Sequence, residues 1–144
     1  MPKFGKKSRD QLKTCHPKLQ RVFNEVIKSV DCSILEGHRE KERQNQLFDE
    51  GKTKVLYPNG RHNDYPSNAV DVVPYPVDWE DRERMTLFAG FVLGVANQMG
   101  INLRWGGDWD QDFEVKDNMF DDFPHFEIKR TIRLMSWRLK DGIQ

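Results

Sequence analysis

Apolar residues recur at helical spacing in two stretches of the chain. In the first, residues 19–30, they follow at i, i+3, i+4 and i+7, and Pro17 stands in the first turn. The second covers about residues 79–99, with Asp78 as a plausible N-cap and Gly100 as a stop. Its apolar face comprises Met85, Phe88, Ala89, Val92, Leu93, Ala96 and Met99. Both stretches predict amphipathic helices that pack on the core.

Shorter apolar runs between turn residues predict strands. They cover Cys32–Glu36 and residues 69–73, 101–105 and 123–128. A polar helix is expected over residues 40–50, and residues 8–11 resemble a capping box that starts a short helix. The segment 52–68 is rich in Gly, Pro, Asn and Asp and predicts a loop. The pattern therefore predicts an α+β fold, with a small antiparallel sheet and two long helices packed on it.

Length and charge narrow the class of protein. The 144 residues suit one domain, 1–144, and neither a repeat nor a linker marks a second domain. The net charge is zero, so no general attraction to nucleic acid is expected. No apolar run approaches the roughly 18 residues of a membrane span, and the basic start lacks the apolar core of a signal peptide. A cytoplasmic product follows, and Cys15 and Cys32 are expected as reduced thiols rather than a disulfide.

One carboxylate is unusual, because Asp71 lies inside an apolar strand run. A buried carboxylate needs a cation, several donors or a metal. Taken alone, Asp71 is satisfied most simply by backbone donors and an arginine. Together with His62 and His125, however, it completes the two-imidazole, one-carboxylate set of a catalytic zinc, with a fourth position left for water. Asp122, three residues before His125, could act as a base beside the metal.

Three motifs carry a family resemblance. Gly60-Arg61-His62, the run from Pro66 to Pro74, and Asp122-Phe123-Pro124-His125-Phe126 resemble the metal motifs of VanY-like D-Ala-D-Ala carboxypeptidase zinc peptidases. Over about residues 8–130 the chain resembles the phage endolysin branch, similar to L-alanyl-D-glutamate peptidases. This sequence has Gly60 where that pattern usually has serine. It also has eight residues between His62 and Asp71, where that pattern usually has six.

The resemblance implies a fold, a site and an activity. The fold would be Hedgehog/D-Ala-D-Ala peptidase-like, with Zn²⁺ on His62, Asp71 and His125. Asp122 would be the catalytic acid/base, and Arg39 would steady a substrate carbonyl or carboxylate. The enzyme would be an endolysin hydrolysing the L-alanyl-D-glutamate bond of the bacterial peptidoglycan stem peptide. It would be a monomer made in the host cytoplasm that reaches the wall after holin-type release.

Several alternatives stay open at this stage. The same motifs fit a D,D-carboxypeptidase or dipeptidase acting on D-Ala-D-Ala, and less well a catalytically silent zinc-binding module or a phage structural protein. Arg39 could instead pair with a nearby glutamate. Trp105 and Trp109 fit a groove wall or core packing, and His38 could line the cleft. A charged solvated loop explains the acidic residues near Asp108 better than a calcium site, and the basic tail is expected to be a solvated face.

Overall fold

The computed structural model describes residues 1–116 and 121–129. Residues 130–144, which hold nearly all of the basic tail, lie outside the described residues. Nine elements follow in chain order: α1 (Lys6–Leu12), α2 (Pro17–Val26), β1 (Cys32–Glu36), α3 (Lys41–Asp49), a 3-10 turn (Arg61–Asn63), β2 (Ala69–Pro74), α4 (Arg82–Gln98), β3 (Leu103–Gly106) and β4 (Asp122–Ile128).

The four strands form one antiparallel sheet in the order β1-β2-β4-β3. The predicted α+β class is therefore confirmed. Strands β2 and β4 occupy the centre, and Asp71 on β2 lies directly opposite His125 on β4. Because side chains on directly opposite residues of a sheet point to the same face, this pairing places both groups on one side of the sheet.

Helices α2 and α4 cover the other side. Helix α4 packs on β2, β3 and β4, and α2 packs on α4. The ring of Phe126 on β4 meets Phe23 of α2 and Phe88 of α4 edge to face, at centroid distances of 5.6 Å and 6.3 Å. All three rings are buried, as the apolar stripes of both helices predict. Burial of side chains this large contributes most of the driving force that holds helices on a sheet.

Two predicted helix starts were wrong. Helix α1 begins at Lys6, so Ser8 lies inside it, and its hydroxyl accepts a hydrogen bond from the Ile34 backbone N–H at 3.0 Å. Helix α4 begins at Arg82, because the carboxylate of Asp81, not that of Asp78, accepts from the Arg84 N–H. Several acidic residues precede α4, and the apolar pattern does not distinguish which of them is the cap. Strand β3 likewise begins two residues later than predicted, at Leu103.

The two cysteines are buried free thiols, as expected. Burial raises the pKa of Cys15 and of Cys32 to about 12. A thiol with so high a pKa is a poor nucleophile at neutral pH, so both act as small apolar core residues. Within residues 1–116 and 121–129, no helix combines the length and apolar character that crossing a bilayer requires.

Candidate metal centre

Three separate elements bring His62, Asp71 and His125 together. His62 lies in the 3-10 turn, Asp71 on β2 and His125 on β4, and one ligand atom from each lies within 4.8 Å of the others. The Oδ1 atom of Asp71 is 3.3 Å from Nε2 of His62 and 3.5 Å from Nδ1 of His125. The two imidazole nitrogens are 3.3 Å apart. The loop between His62 and Asp71, which is two residues longer than usual, therefore does not keep their side chains apart.

The tautomer of His62 follows from its backbone contact. Its Nδ1 lies 2.7 Å from the carbonyl oxygen of Gly37. A carbonyl can only accept, so Nδ1 carries the proton and Nε2 presents its lone pair to Asp71. Gly37 is packed so closely that an added Cβ would lie 2.3 Å from the Thr14 hydroxyl. The absence of a side chain at Gly37 thus lets the backbone reach the buried ring of His62.

The ring of His125 uses its other nitrogen, Nε2, for the corresponding hydrogen bond. Its Nε2 lies 2.8 Å from Oε1 of the buried Glu127. The carboxylate accepts the Nε2 proton, which leaves the Nδ1 lone pair directed at Asp71 and His62. The two histidines thus present different ring nitrogens to one point.

The two carboxylate oxygens of Asp71 differ in their partners. Oδ2 lies 3.4 Å from a guanidinium nitrogen of Arg39. Oδ1 is buried and accepts no hydrogen bond from the described residues. With both rings neutral and donating elsewhere, three lone-pair donors would converge without a proton between them. Such an arrangement requires a cation, and two imidazoles with a carboxylate suit a divalent transition metal. The residues present therefore fit a metal ion.

The electrostatics of these groups agree with that requirement. Burial opposes the ionised form of Asp71, but the facing imidazoles outweigh it and hold the pKa of this carboxyl well below its usual range. Burial likewise opposes the charged form of His125, yet the nearby carboxylates of Asp71 and Glu127 outweigh it and raise the pKa of His125 to about 9. Without a metal, the site attracts a proton to His125 instead.

Asp122 lies beside the three candidate ligands, not among them. Its Oδ2 atom is 3.9 Å from Nδ1 of His125, and its side chain is 35% exposed. Burial, and after it the charge of Asp71, raises the pKa of Asp122. Gly106 of β3 pairs with Asp122, and a Cβ there would lie 2.0 Å from the Asp122 carbonyl oxygen. The start of β4 is therefore set by a contact that only glycine allows.

Arg39 forms the ion pair with a glutamate that the sequence left open. It donates to Glu36 at 2.9 Å and to Gln44 at 3.1 Å, and it also faces Asp71. Its backbone N–H donates to the His62 carbonyl at 2.8 Å. Arg39 therefore supports two ligand-bearing segments, and its predicted contact with substrate stays a prediction.

An open cleft of about 1020 Å³ exposes the site, with Arg39, His62, Asp71, Trp109, Asp122 and His125 among its lining residues. The two tryptophans left open by the sequence have different roles. Trp109 lines the cleft, with its ring 5.4 Å from that of His125. Trp105 is buried against Phe123 and donates to the Phe123 carbonyl at 2.6 Å. His38 contacts the carbonyl of Asp64 and does not belong to the ligand group.

Sequence reasoning missed Glu127 and its partner Arg104. The available signal was an acidic residue two positions after a candidate ligand histidine, which on a strand places both side chains on one face. Arg104 could not be inferred, because its contact with Glu127 depends on the pairing of β3 with β4.

Comparisons with known proteins agree with one another. The sequence model of the phage L-alanyl-D-glutamate peptidase family matches residues 1–129. The L-alanyl-D-glutamate peptidase of Escherichia phage T5 is 32% identical over 133 residues, which cover 89% of this chain and 90% of the relative. The solved structure of the Serratia marcescens L-Ala D-Glu endopeptidase ChiX has a TM-score of 0.70 and 30% identity, covering 88% and 90% of the two chains.

Proposed function

The chain belongs to the phage L-alanyl-D-glutamate peptidase family and is a peptidoglycan hydrolase, and we propose that zinc held by His62, Asp71 and His125 is its catalytic metal. The scissile bond is the amide between L-alanine and D-glutamate in the stem peptide. The matched family and both similar proteins are named for this bond, rather than for the D-alanyl-D-alanine bond that the sequence motifs also fitted.

One observation supports the metal most strongly. The buried Oδ1 of Asp71 accepts no hydrogen bond from the described residues, although two imidazole lone pairs face it. A buried carboxylate oxygen left in this state is costly unless a cation compensates it. Two imidazoles and one carboxylate are the usual protein ligands of a catalytic zinc, which keeps a further position open. Bound there, zinc polarises a carbonyl and lowers the pKa of water.

Asp122 has the position and the acidity of the general base. Its carboxylate lies at the edge of the ligand group and faces the open cleft, so a water and a substrate amide can both reach it. Its raised pKa brings it closer to the working range of an acid/base group. We assign to it acceptance of the proton of the attacking water and delivery of that proton to the leaving nitrogen of D-glutamate.

Arg39 and Trp109 complete the assignment. The guanidinium of Arg39 holds Oδ2 of Asp71, which turns Oδ1 toward the imidazoles. A cation in this position also offsets negative charge that develops on the substrate carbonyl. Trp109 supplies an apolar surface beside His125 along which a peptide chain can lie.

The setting of the reaction follows from the substrate. All the residues assigned here belong to one chain, so one copy supplies a complete site, and we propose a monomer. We also propose that the enzyme is made in the host cytoplasm and reaches the wall through a holin-type opening. Lysis of expressing cells only after membrane permeabilisation would support this route, and lysis without permeabilisation would contradict it.

The test of the metal is chelation followed by reconstitution. Treatment with a strong chelator should abolish release of stem peptides from purified peptidoglycan, and stoichiometric zinc should restore it. Mass spectrometry of the products should show new N-terminal D-glutamate. Free D-alanine would point instead to carboxypeptidase activity, and full activity in metal-free protein would exclude the proposed centre.

The test of the base is Asp122→Ala. This change should lower kcat by roughly 100- to 10,000-fold, the usual contribution of general acid–base catalysis. It should leave one zinc bound per chain, because Asp122 lies outside the ligand group. Metal content and turnover measured on the same sample separate the two roles, and an unchanged kcat would remove Asp122 from the mechanism.

A further inference from the structure

Glu127 is the buried carboxylate of the cleft that the reaction does not use directly. It lies on β4, two residues after His125, and is 4% exposed. Burial opposes its ionisation, but its hydrogen bond to His125 and the positive charge of Arg104 outweigh burial and lower the pKa of Glu127 to about 2. A charged group so deeply buried must have compensating partners. These partners connect it to the candidate metal centre.

We propose that Glu127 is a positioning residue that selects which ring nitrogen of His125 faces the metal. This inference rests on the proposed metal centre. The Oε1 atom of Glu127 lies 2.8 Å from Nε2 of His125. Because a carboxylate at neutral pH only accepts, a neutral His125 ring keeps its proton on Nε2 and its lone pair on Nδ1. Without Glu127, the other tautomer would place a hydrogen between His125 and Asp71, where the metal belongs.

The second oxygen of Glu127 is held in place from two other elements. Arg104 of β3 donates to Oε2 at 2.7 Å. The Nε atom of Arg61 lies 3.9 Å from the same oxygen, and Arg61 directly precedes His62 in the 3-10 turn. Arg61 also donates to the Ile128 carbonyl at 2.5 Å. Glu127 thus contacts one ligand directly and the segment that carries another through Arg61.

This network predicts an effect on metal affinity in addition to any effect on folding stability. A carboxylate bonded to the outer nitrogen of a ligand histidine fixes the ring and increases its basicity, and loss of such a partner usually lowers metal affinity roughly 10- to 100-fold. A purely structural ion pair between Glu127 and Arg104 would have another consequence. Removing either partner would then have the same effect, since each would matter only through the pair.

The experiment compares Glu127→Ala, Glu127→Gln and the matched control Arg104→Gln. Zinc affinity is measured by competition with a chromophoric chelator, and folding is checked by thermal unfolding of the metal-free proteins. Glu127→Ala should lose about 10- to 100-fold in zinc affinity. Glu127→Gln should lose less, because its amide oxygen still accepts the His125 proton. Arg104→Gln should lose less zinc affinity than Glu127→Ala, because Oε1 keeps its bond to His125.

The outcomes separate this proposal from the proposed function. Equal losses in Glu127→Ala and Arg104→Gln, or wild-type affinity in Glu127→Ala, would overturn the positioning role while the metal centre stands. Absence of zinc binding in the wild type would overturn the metal centre itself.

A second measurement uses the unaltered protein, in case the variants do not fold. Long-range ¹H–¹⁵N correlation spectra of the zinc-loaded wild type should show the proton on Nε2 of His125 and on Nδ1 of His62. A proton on Nδ1 of His125 would overturn the assignment.

Discussion

Among the described residues, two regions each bring three candidate metal ligands together, and they differ in how the carboxylates are compensated. The first is the group of His62, Asp71 and His125, and the second, here called the acidic loop, is the group of Asp108, Asp110 and Asp112. In the acidic loop each carboxylate accepts a backbone N–H. Asp108 accepts from Asp112 and Phe113, Asp110 accepts from Asp112, and Asp112 accepts from Glu114.

The comparison shows that proximity alone does not indicate a metal site. Backbone N–H groups stabilise the carboxylates of the acidic loop, and two of the three are exposed to water, although burial and the neighbouring Asp112 and Asp110 still raise the pKa of Asp108. In the first group, by contrast, the buried Oδ1 of Asp71 has no donor among the described residues, and both histidines, when neutral, direct their protons away from it. The unsatisfied requirement for positive charge distinguishes the two regions.

The largest effect should come from Asp71→Asn. The change keeps the shape of the side chain but removes the charge that faces both imidazoles. Zinc affinity should fall by more than about 100-fold, the upper range for loss of a mere supporting partner, and peptide hydrolysis should fall to background. Equilibrium dialysis with zinc and the wall-digestion assay measure the two effects. If the Asp71→Asn variant still bound one zinc tightly, the charge of Asp71 would not be what distinguishes this group from the acidic loop.

A smaller effect should follow from pH. In the metal-free protein the pKa of His125 is about 9, so near neutral pH zinc must displace a proton from it. The apparent association constant should therefore rise about tenfold per pH unit toward pH 9 and then level off. Chelator competition at several pH values measures this slope. An affinity that is constant between pH 6 and pH 8 would contradict the assignment.

The same shift affects the stability of the metal-free protein. The pKa of His125 in the folded protein lies above its ordinary value of 6.5. Its stabilising contribution is therefore fully present below pH 6.5 and is lost as pH rises toward 9. The melting temperature of metal-free protein should fall across that window, and the zinc-loaded protein should show a weaker dependence, since a bound ligand His cannot take up the proton.

The smallest effect should come from Asp110→Asn in the acidic loop. Asp110 is exposed and accepts one N–H at 3.4 Å, and the asparagine amide oxygen can accept the same bond. Stability should change by no more than about 0.5 kcal/mol. Zinc affinity and kcat should equal those of the wild type. A loss of either as large as that expected for Asp71→Asn would show that the two regions are coupled.

Local pattern predicted most of the fold because the two long helices carry apolar stripes and the strands are short apolar runs between turn residues. Strand β1 was predicted at its observed bounds, and the predicted stop at Gly100 is confirmed by its positive φ of 73°. Helix starts were less accurate. Ser8 bonds to a residue 26 positions away, and sequence pattern does not report such a long-range partner.

The site was predictable only in part. The isolated carboxylate of Asp71 and the paired histidines identified the ligand group, which the structure brings together. Their orientation was not predictable, because it depends on the Gly37 carbonyl and on Glu127, which reach the histidines from other segments or across the sheet. Arg39 was recognised through the family resemblance, but its simultaneous contact with Glu36 and Asp71 required the fold.

The pairing of Asp71 with His125 across β2 and β4 also bears on which changes in length the chain can tolerate. Adding or deleting one residue within either strand would turn the following side chains to the opposite face and separate the two groups. The loop between His62 and Asp71 is different, since it is two residues longer than usual and Nε2 of His62 still lies 3.3 Å from Oδ1 of Asp71. Evolutionary insertions should therefore accumulate between His62 and Asp71, whereas the two central strands should keep a constant length.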